Sequence, residues 1–212
     1  WLAASFFLFE AFCEAGGKRA VFAGSCAEYE WREALLYEDA TPLSPNTLYG
    51  ATKNNLHQLL QYVATKNSVQ LAWGRLFFLY GPGEKENRFA STLISSLMNN
   101  QVARMGECTQ YRDFLHTKDA ARGFAMLAAS EVTGAFNICT GTSLRLRDFA
   151  ERVGELTGKS EKIMYGAHEG RSDEPNTIVG SPEKAYKMLG FKPEISIDHG
   201  IKELLDRLEA SD

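Results

Sequence analysis

Tyr49 and Lys53, four positions apart, are the residues whose types and spacing most directly suggest chemistry in this sequence. On a helix, residues i and i+4 share one face, so the phenol and the ammonium can contact the same ligand. A free tyrosine has a pKa of about 10 and is a poor base at neutral pH. A neighbouring ammonium favours the phenolate and lowers that pKa towards the range in which proton exchange is efficient. The pair therefore predicts a proton-transfer site in which the lysine can also bind a ribose hydroxyl.

The segments before this pair strengthen the prediction, because a tyrosine and a lysine at this spacing also occur by chance on solvated helices. Residues 20–24 (AVFAG) form a short apolar run of the kind found in a fully buried parallel strand. Ser25 follows directly, and the carboxyl ends of parallel strands are where open α/β sheets bind ligands. The strand, Ser25, a loop and the helix of Tyr49 and Lys53 come in the order that such a site requires.

Apolar runs and helical patterns alternate along the whole chain. We predict helices at residues 2–15, 49–66, 89–99, 118–129, 146–157, 182–189 and 197–208. We predict strands at 20–24, 69–78 and 134–139, with shorter extended pieces at 111–115 and 163–165. This alternation is typical of the α/β class with a mainly parallel sheet, and the shorter strands of the second half indicate a smaller lobe docked on the sheet.

Composition and charge limit the possible partners. The 212 residues carry a formal net charge of −4, with acidic and basic residues mixed, so we expect neither a nucleic-acid partner nor a membrane partner. The four cysteines are far apart and form no C-x-x-C pair; they are Cys13, Cys26, Cys108 and Cys139. This usage predicts reduced cysteines in a cytoplasmic protein, without a disulfide framework or a metal site.

The apolar start of the sequence, residues 1–13, suggests a signal peptide or a membrane anchor at first sight. The run contains Glu10, is followed by Glu14, and is shorter than the roughly 20 residues of a spanning helix. It has no basic leader and no convincing cleavage site. We therefore expect a buried helix whose beginning has been cut away.

Five segments carry a resemblance to a known family. They are 20–29 (AVFAGSCAEY), 44–53 (SPNTLYGATK), 74–84 (GRLFFLYGPGE), 112–121 (RDFLHTKDAA) and 134–141 (GAFNICTG). In this order they are similar to the extended short-chain dehydrogenases/reductases, the NAD-dependent epimerase/dehydratase family. That group includes UDP-galactose 4-epimerase, dTDP-glucose 4,6-dehydratase and GDP-sugar reductases.

The resemblance implies a fold and a division of the chain. The fold is a Rossmann-like doubly wound parallel sheet, present in its C-terminal part, with a smaller lobe that binds a nucleotide sugar. Residues 1–83 and about 107–141 would belong to the sheet domain with the catalytic residues. Residues of about 84–106 and 142–212 would form the smaller lobe.

The resemblance also implies catalytic roles and a cofactor, NAD or NADP. Ser25 would hydrogen-bond the reacting sugar hydroxyl or ketone, and Tyr49 would pass the proton to or from that oxygen. Lys53 would hold the nicotinamide ribose and lower the pKa of Tyr49. The cofactor performs the redox step, and the protein positions it.

Four further residues match binding positions of the family. Phe77 matches a position beside the nicotinamide. Phe78 stands where relatives carry an asparagine that contacts the substrate. Arg112 and Arg171 match arginines that contact the ribose or phosphates of the nucleotide, and bidentate guanidinium–phosphate contacts suit arginine to that task.

Two departures narrow the expected activity. The sequence contains no G-x-x-G-x-x-G, the turn that seats the cofactor pyrophosphate at a helix N-terminus. The dehydratases carry Asp-Glu directly after the catalytic threonine, whereas this chain has Cys26 and Ala27. We therefore expect a 4-epimerase or a 4-ketoreductase of nucleotide sugars rather than a dehydratase.

Alternatives remain at the level of the chain and of single residues. The chain could be a non-catalytic family member, or an inactive fragment without the glycine-rich motif; as an enzyme it is expected to form a homodimer through helices 1–15 and 49–66. Arg112 and Asp113 could form a structural ion pair, Asp119 a helix cap, and Arg171 a solvated loop residue.

Overall fold

Helices and strands alternate along residues 1–32, 34–85, 87–168 and 175–209, the part of the chain that this computed structural model describes. The helices are α1 Leu2–Glu14, α2 Leu48–Asn67, α3 Phe89–Met98, α4 Thr117–Ala129, α5 Leu146–Thr157, α6 Glu183–Leu189 and α7 Ile197–Glu209. The strands are β1 Arg19–Ser25, β2 Gln70–Leu76, β3 Phe78–Tyr80, β4 Ala103–Arg104, β5 Tyr111–Arg112, β6 Phe114–His116, β7 Gly134–Ile138, β8 Leu144–Arg145, β9 Ile163–Met164 and β10 Thr177–Ile178. The predicted α/β class is confirmed.

The main sheet consists of three parallel strands in the order β1-β2-β7. Ser25 lies opposite Leu76, and Leu76 lies opposite Ile138, so the three strands end at one edge of the sheet. This register places Ser25 at the carboxyl edge, where the sequence predicts a ligand site.

Helices cover both faces of this sheet. Successive side chains of a strand point to opposite faces. Trp73 therefore packs on one side with Phe9 of α1 and Leu56 of α2. Its neighbour Ala72 packs on the other side with Leu127 of α4. A buried leucine side chain stabilises a fold by roughly 1.5–3 kcal/mol relative to an exposed one, so each face holds its helices firmly.

The first helix is less buried than the sequence predicts. Phe9 is the buried residue of α1, whereas Phe7 and Leu8 are exposed. The expectation of a buried helix is therefore wrong, because α1 packs with one face only and turns the other to solvent. Among the described helices, none combines the length and the apolar character that crossing a bilayer requires.

A second apolar cluster lies beside the sheet and is formed mainly by α3, α5 and α7. Leu93, Phe149 and Ile201 pack together in it. The short strands β4 and β9 pair in parallel nearby, and β5 lies between β10 and β8. Helix α6 packs instead with the main sheet, through Ala185 against the cluster that contains Phe136. The division of the chain into two parts remains a prediction.

Candidate active site

Ser25 ends β1 and begins a single 3₁₀ turn, Cys26–Glu28. Its Oγ accepts a hydrogen bond from the amide of Ala27 at 3.2 Å, and its own amide donates to Oε1 of Glu28 at 2.8 Å. These reciprocal bonds form a capping box, which fixes the backbone where the strand ends. The hydroxyl of Ser25 is thus held at the sheet edge on a rigid turn.

Tyr49 and Lys53 lie on the first turns of α2. The helix begins at Thr47, whose hydroxyl accepts the amide of Gly50 at 3.0 Å. Tyr49 is 52% exposed, and the Lys53 ammonium lies 6.0 Å from the centre of its ring. The Lys53 Nζ also donates to the carbonyl of Ala23 at 2.8 Å. The structure therefore brings both residues to the carboxyl end of β1.

Gly50 provides the contact between α2 and the turn after Ser25. A Cβ at this position would lie 2.0 Å from the carbonyl oxygen of Ala27, a distance that no real side chain tolerates. The helix approaches the turn this closely only because residue 50 is glycine. Ser25, Tyr49 and Lys53 are therefore positioned against one another by backbone packing.

Burial changes the charge behaviour of Lys53. Desolvation lowers the pKa of its ammonium from the usual value, and the negative charge of Glu28 partly opposes this shift. The indole ring of Trp1 also lies over the ammonium, 4.4 Å from Nζ to the ring centre.

A buried polar network, which the sequence did not predict, lies behind the serine turn, the 3₁₀ turn Cys26–Glu28 that follows Ser25. The carboxylate of Glu28 accepts Nε of Arg75 at 2.8 Å and the indole Nε1 of Trp73 at 3.0 Å. Arg75 Nη1 in turn donates to the hydroxyl of Tyr29, which donates to Oδ1 of Asn137. A sequence signal did exist. Residues 73 and 75 are two positions apart, so their side chains point to the same face of β2, and each carries a polar group.

The two phenylalanines expected at the binding site differ in exposure. Phe77 is buried in a cluster with Cys26 and Cys139, and a Cβ on Gly180 would lie 2.5 Å from its ring. Phe78 is half-buried, and the guanidinium of Arg112 lies over its ring at 5.2 Å. Phe77 therefore supports the serine turn from behind, and Phe78 borders the arginine.

Arg112 is buried, and its Nη1 donates to backbone carbonyls of Tyr111, Pro175 and Asn176 at 2.8, 3.1 and 3.2 Å. These bonds tie β5 to the start of β10. The guanidinium thus organises the backbone between these two strands. Arg171 lies outside the described residues.

Two aspartates have structural partners. The Asp113 carboxylate accepts the amide and hydroxyl of Thr140, at 2.8 and 2.6 Å, and the amide of Gly141 at 2.9 Å. Asp119 accepts the amides of residues 194 and 195 at 3.0 and 2.9 Å. The N-cap of α4 is His116, so the interpretation of Asp119 as a helix cap is wrong. Its carboxylate joins α4 to the chain before α7.

Cys26 and Ala27, which the resemblance aligns with the two dehydratase acids, are both buried. Burial raises the pKa of the Cys26 thiol to about 12, and the charge of Asp113 adds to this effect. The thiol is therefore neutral at ordinary pH and can serve neither as a general base nor as a nucleophile.

The fold and the site define a class: an α/β protein with serine, tyrosine and lysine at the carboxyl edge of a parallel sheet. The family model "Epimerase: NAD dependent epimerase/dehydratase family" matches residues 2–139, and the chain belongs to that family. The predicted membership and the Rossmann-like fold are thus confirmed.

Individual relatives agree with the family. CDP-abequose synthase of Salmonella typhimurium is 30% identical over 169 residues, 76% of this chain and 56% of the relative. UDP-glucuronate 4-epimerase of Thermodesulfobacterium geofontis is 28% identical over 92% of this chain and 60% of its own length. The solved structure of MoeE5 with UDP-glucuronic acid and NAD superposes with a TM-score of 0.90 at 27% identity, covering 99% of this chain and 71% of MoeE5. The chain spans less than two thirds of the two curated relatives.

The residues present fit one half of a nicotinamide dinucleotide. Lys53 offers its ammonium and Tyr49 its phenol at the open edge of the sheet, a donor set that suits ribose hydroxyls. The sequence contains no G-x-x-G-x-x-G, the motif that would seat the pyrophosphate.

Proposed function

We propose that the protein is an NAD- or NADP-dependent 4-epimerase or 4-ketoreductase of nucleotide sugars. The observation that carries the proposal is the contact of Gly50 with Ala27, which brings the helix of Tyr49 and Lys53 against the turn of Ser25. The proposal covers both cofactors, because the matching segments contain no residue assigned to the adenosine ribose.

Each residue of the site has one task in this reaction. The Ser25 hydroxyl donates a hydrogen bond to the oxygen on the reacting sugar carbon and orients it. When the ketone forms, Tyr49 accepts the proton of the sugar hydroxyl. When the ketone is reduced, Tyr49 returns the proton to the same sugar oxygen. Lys53 stabilises the phenolate and binds the nicotinamide ribose. The bound cofactor supplies the hydride acceptor or donor.

Two features support a reaction without loss of water. Elimination needs an acid and a base beside the ring, and the buried Cys26 thiol and Ala27 provide neither.

The relatives support the substrate class, because they act on or bind CDP- and UDP-linked sugars. We assign Phe77 to the nicotinamide side, and Phe78, Arg112 and Arg171 to the nucleotide-sugar side.

The outer face of α1 and α2 supports assembly into a homodimer. Phe7, Leu8 and Tyr62 are 64%, 68% and 72% exposed. An open groove of about 390 Å³ runs between the two helices, lined by residues such as Phe6 and Leu59. Large exposed apolar patches mark interaction sites. We therefore propose that two copies pack through these helices, in the cytoplasm, where the four free cysteines stay reduced.

Tyr49→Phe tests the function, because it removes the proton-transfer group and keeps the ring. We expect kcat to fall by about 10²- to 10⁴-fold, the usual contribution of general acid–base catalysis, while NADH affinity stays within about twofold. Turnover is measured in the full-length gene product with UDP-glucose and UDP-glucuronate, and NADH binding by fluorescence.

Tyr186→Phe, at an exposed position of α6, is the matched control and should keep full turnover. Unchanged turnover in Tyr49→Phe would refute the proposed mechanism. A full-length product that binds NADH but converts no nucleotide sugar would favour the non-catalytic alternative. Tight binding of NADH by the 212-residue chain alone would contradict the alternative of an inactive fragment.

A further inference from the structure

Glu28 is a completely buried carboxylate that no step of the proposed reaction uses. Its oxygens accept the Ser25 amide at 2.8 Å, the Trp73 indole Nε1 at 3.0 and 3.1 Å, and Arg75 Nε at 2.8 Å. Each of these partners is a donor. The side chain is therefore fixed as an acceptor-only carboxylate in one orientation.

A charge in this position requires an explanation, because burying a carboxylate and a guanidinium is unfavourable unless both are paired and hydrogen-bonded. Arg75 is buried as well, yet its contacts with Tyr29 and Glu28 outweigh desolvation and raise the pKa of the guanidinium. Apolar side chains of similar size could fill the same space. The network does what they could not: it fixes the backbone amide of Ser25.

The network also connects the three strands of the sheet at their carboxyl ends. Glu28 follows β1, Trp73 and Arg75 belong to β2, and Asn137 belongs to β7. The chain of bonds runs from Glu28 through Arg75 and the Tyr29 hydroxyl to Asn137. The serine turn is thus anchored across the whole sheet.

The Trp73 indole and the Glu28 carboxylate pack directly against the backbone of Gly24 in β1. A Cβ at residue 24 would lie 2.1 Å from Nε1 of Trp73 and 2.6 Å from Oε1 of Glu28. A side chain at this position would therefore displace the indole and the carboxylate. The same turn carries the Ala27 carbonyl against which Gly50 packs. Movement of Glu28 would consequently shift Ser25 relative to Tyr49.

We propose that Glu28 is a positioning residue: its carboxylate, held by Trp73 and Arg75, sets the orientation of the Ser25 hydroxyl towards the reacting sugar oxygen. The inference rests on the proposed function, in which Ser25 and Tyr49 contact that oxygen. A misplacement of about 1 Å in such a site lowers turnover by about 10²-fold. A purely structural carboxylate would change stability without this selective effect.

Glu28→Gln is the first variant, because it keeps the shape and one oxygen but places an NH₂ group among donors. In the full-length gene product we expect kcat with UDP-glucose or UDP-glucuronate to fall about 10- to 100-fold, with NADH affinity within about twofold. The matched control is Asp119→Asn, another buried carboxylate, which accepts two amides and the Arg122 guanidinium. Its kcat should stay within about twofold of the parent.

A double-mutant cycle identifies Ser25 as the residue through which Glu28 acts. If the carboxylate works by orienting the serine, Glu28→Gln should lower kcat little, by less than about twofold, in a Ser25→Ala background. Equal losses in both backgrounds would overturn the inference. A loss in Tyr49→Phe with an unchanged kcat in Glu28→Gln would overturn it as well, while leaving the proposed function intact.

Two further measurements test the inference if Glu28→Gln folds poorly or if neither assayed nucleotide sugar is the substrate. Trp73→Phe removes one donor to Glu28 without changing any charge, and it should lower kcat by about 3- to 10-fold. Amide hydrogen exchange needs no substrate: the Ser25 amide should exchange at least about tenfold faster in Glu28→Gln and at the parent rate in Asp119→Asn. Unchanged exchange at Ser25 would refute the positioning role.

Discussion

His57 lies one turn after Lys53 on α2 and stacks on the Trp73 indole, with ring centres 4.6 Å apart. Burial lowers the pKa of the imidazole to about 4, and the charge of Arg75 adds to the effect. The folded protein therefore prefers the neutral ring. In the unfolded chain the histidine takes up its proton near the usual value of about 6.5.

This difference predicts how stability depends on pH. A depressed folded-state pKa contributes stability that is present above about pH 6.5 and is lost as the pH falls towards about 4. The contribution is at most about 3 kcal/mol. We expect His57→Phe, which retains a stacking ring, to flatten the decline of the unfolding free energy over this range, measured by urea titration. His199→Gln, at an exposed site, should keep the parental slope of unfolding free energy against pH. An equally steep slope in His57→Phe would contradict the prediction.

Residue types and spacing predicted part of the site. Ser25, Tyr49 and Lys53 follow from a strand, a turn and a helix that are close in sequence. Glu28 and Arg75 were not predicted, because 47 positions separate them and only the pairing of β1 with β2 brings them together. The environments of Arg112 and Asp113 depend on loops of the second half, which no local pattern specifies.

At the scale of elements, the contact of α2 with the serine turn carries a prediction. Gly50→Ala places a methyl group 2.0 Å from the Ala27 carbonyl oxygen, so the helix must move. Alanine stabilises a helix relative to glycine by about 1 kcal/mol, but the clash should exceed this gain by about 1–2 kcal/mol. We expect lower thermal stability together with a kcat reduced at least about tenfold.

Asn55→Ala on the same helix is the control for Gly50→Ala, because it also raises helix propensity but lies at an exposed position. It should leave kcat unchanged and stability equal or higher. Equal behaviour of the two variants would show that α2 does not depend on its contact with the turn.

The elements themselves followed closely from local patterns. The helix predicted at 146–157 is α5, and Gly158 ends it in the left-handed conformation with φ of 65°. The strand predicted at 69–78 is instead divided at Phe77, because β3 leaves the main sheet and pairs with β6. The two-residue strands β4, β8 and β10 were missed, since two residues carry no period and form only by pairing with distant segments.

At the scale of the whole molecule, the apolar face of α1 and α2 predicts the oligomeric state. Leu8→Asp places a charge in the proposed interface, so the full-length gene product should sediment as a monomer where the parent sediments as a dimer. Desolvation of an unpaired charge at an interface is unfavourable. Tyr186→Asp, at an exposed tyrosine of α6, should remain dimeric. A parent that is monomeric at micromolar concentration would exclude this assembly.

The chain contains three tryptophans, and each has a partner at the candidate site. Trp1 lies over the Lys53 ammonium, Trp31 donates its indole N–H to the Cys26 carbonyl at 3.1 Å, and Trp73 donates to Glu28. Intrinsic emission is therefore a local optical signal rather than an average over the fold. These indoles emit beside the place proposed for a reduced nicotinamide. A reduced nicotinamide absorbs in the spectral region of that emission. The protein thus carries its own donor for energy transfer to the cofactor, without any attached dye.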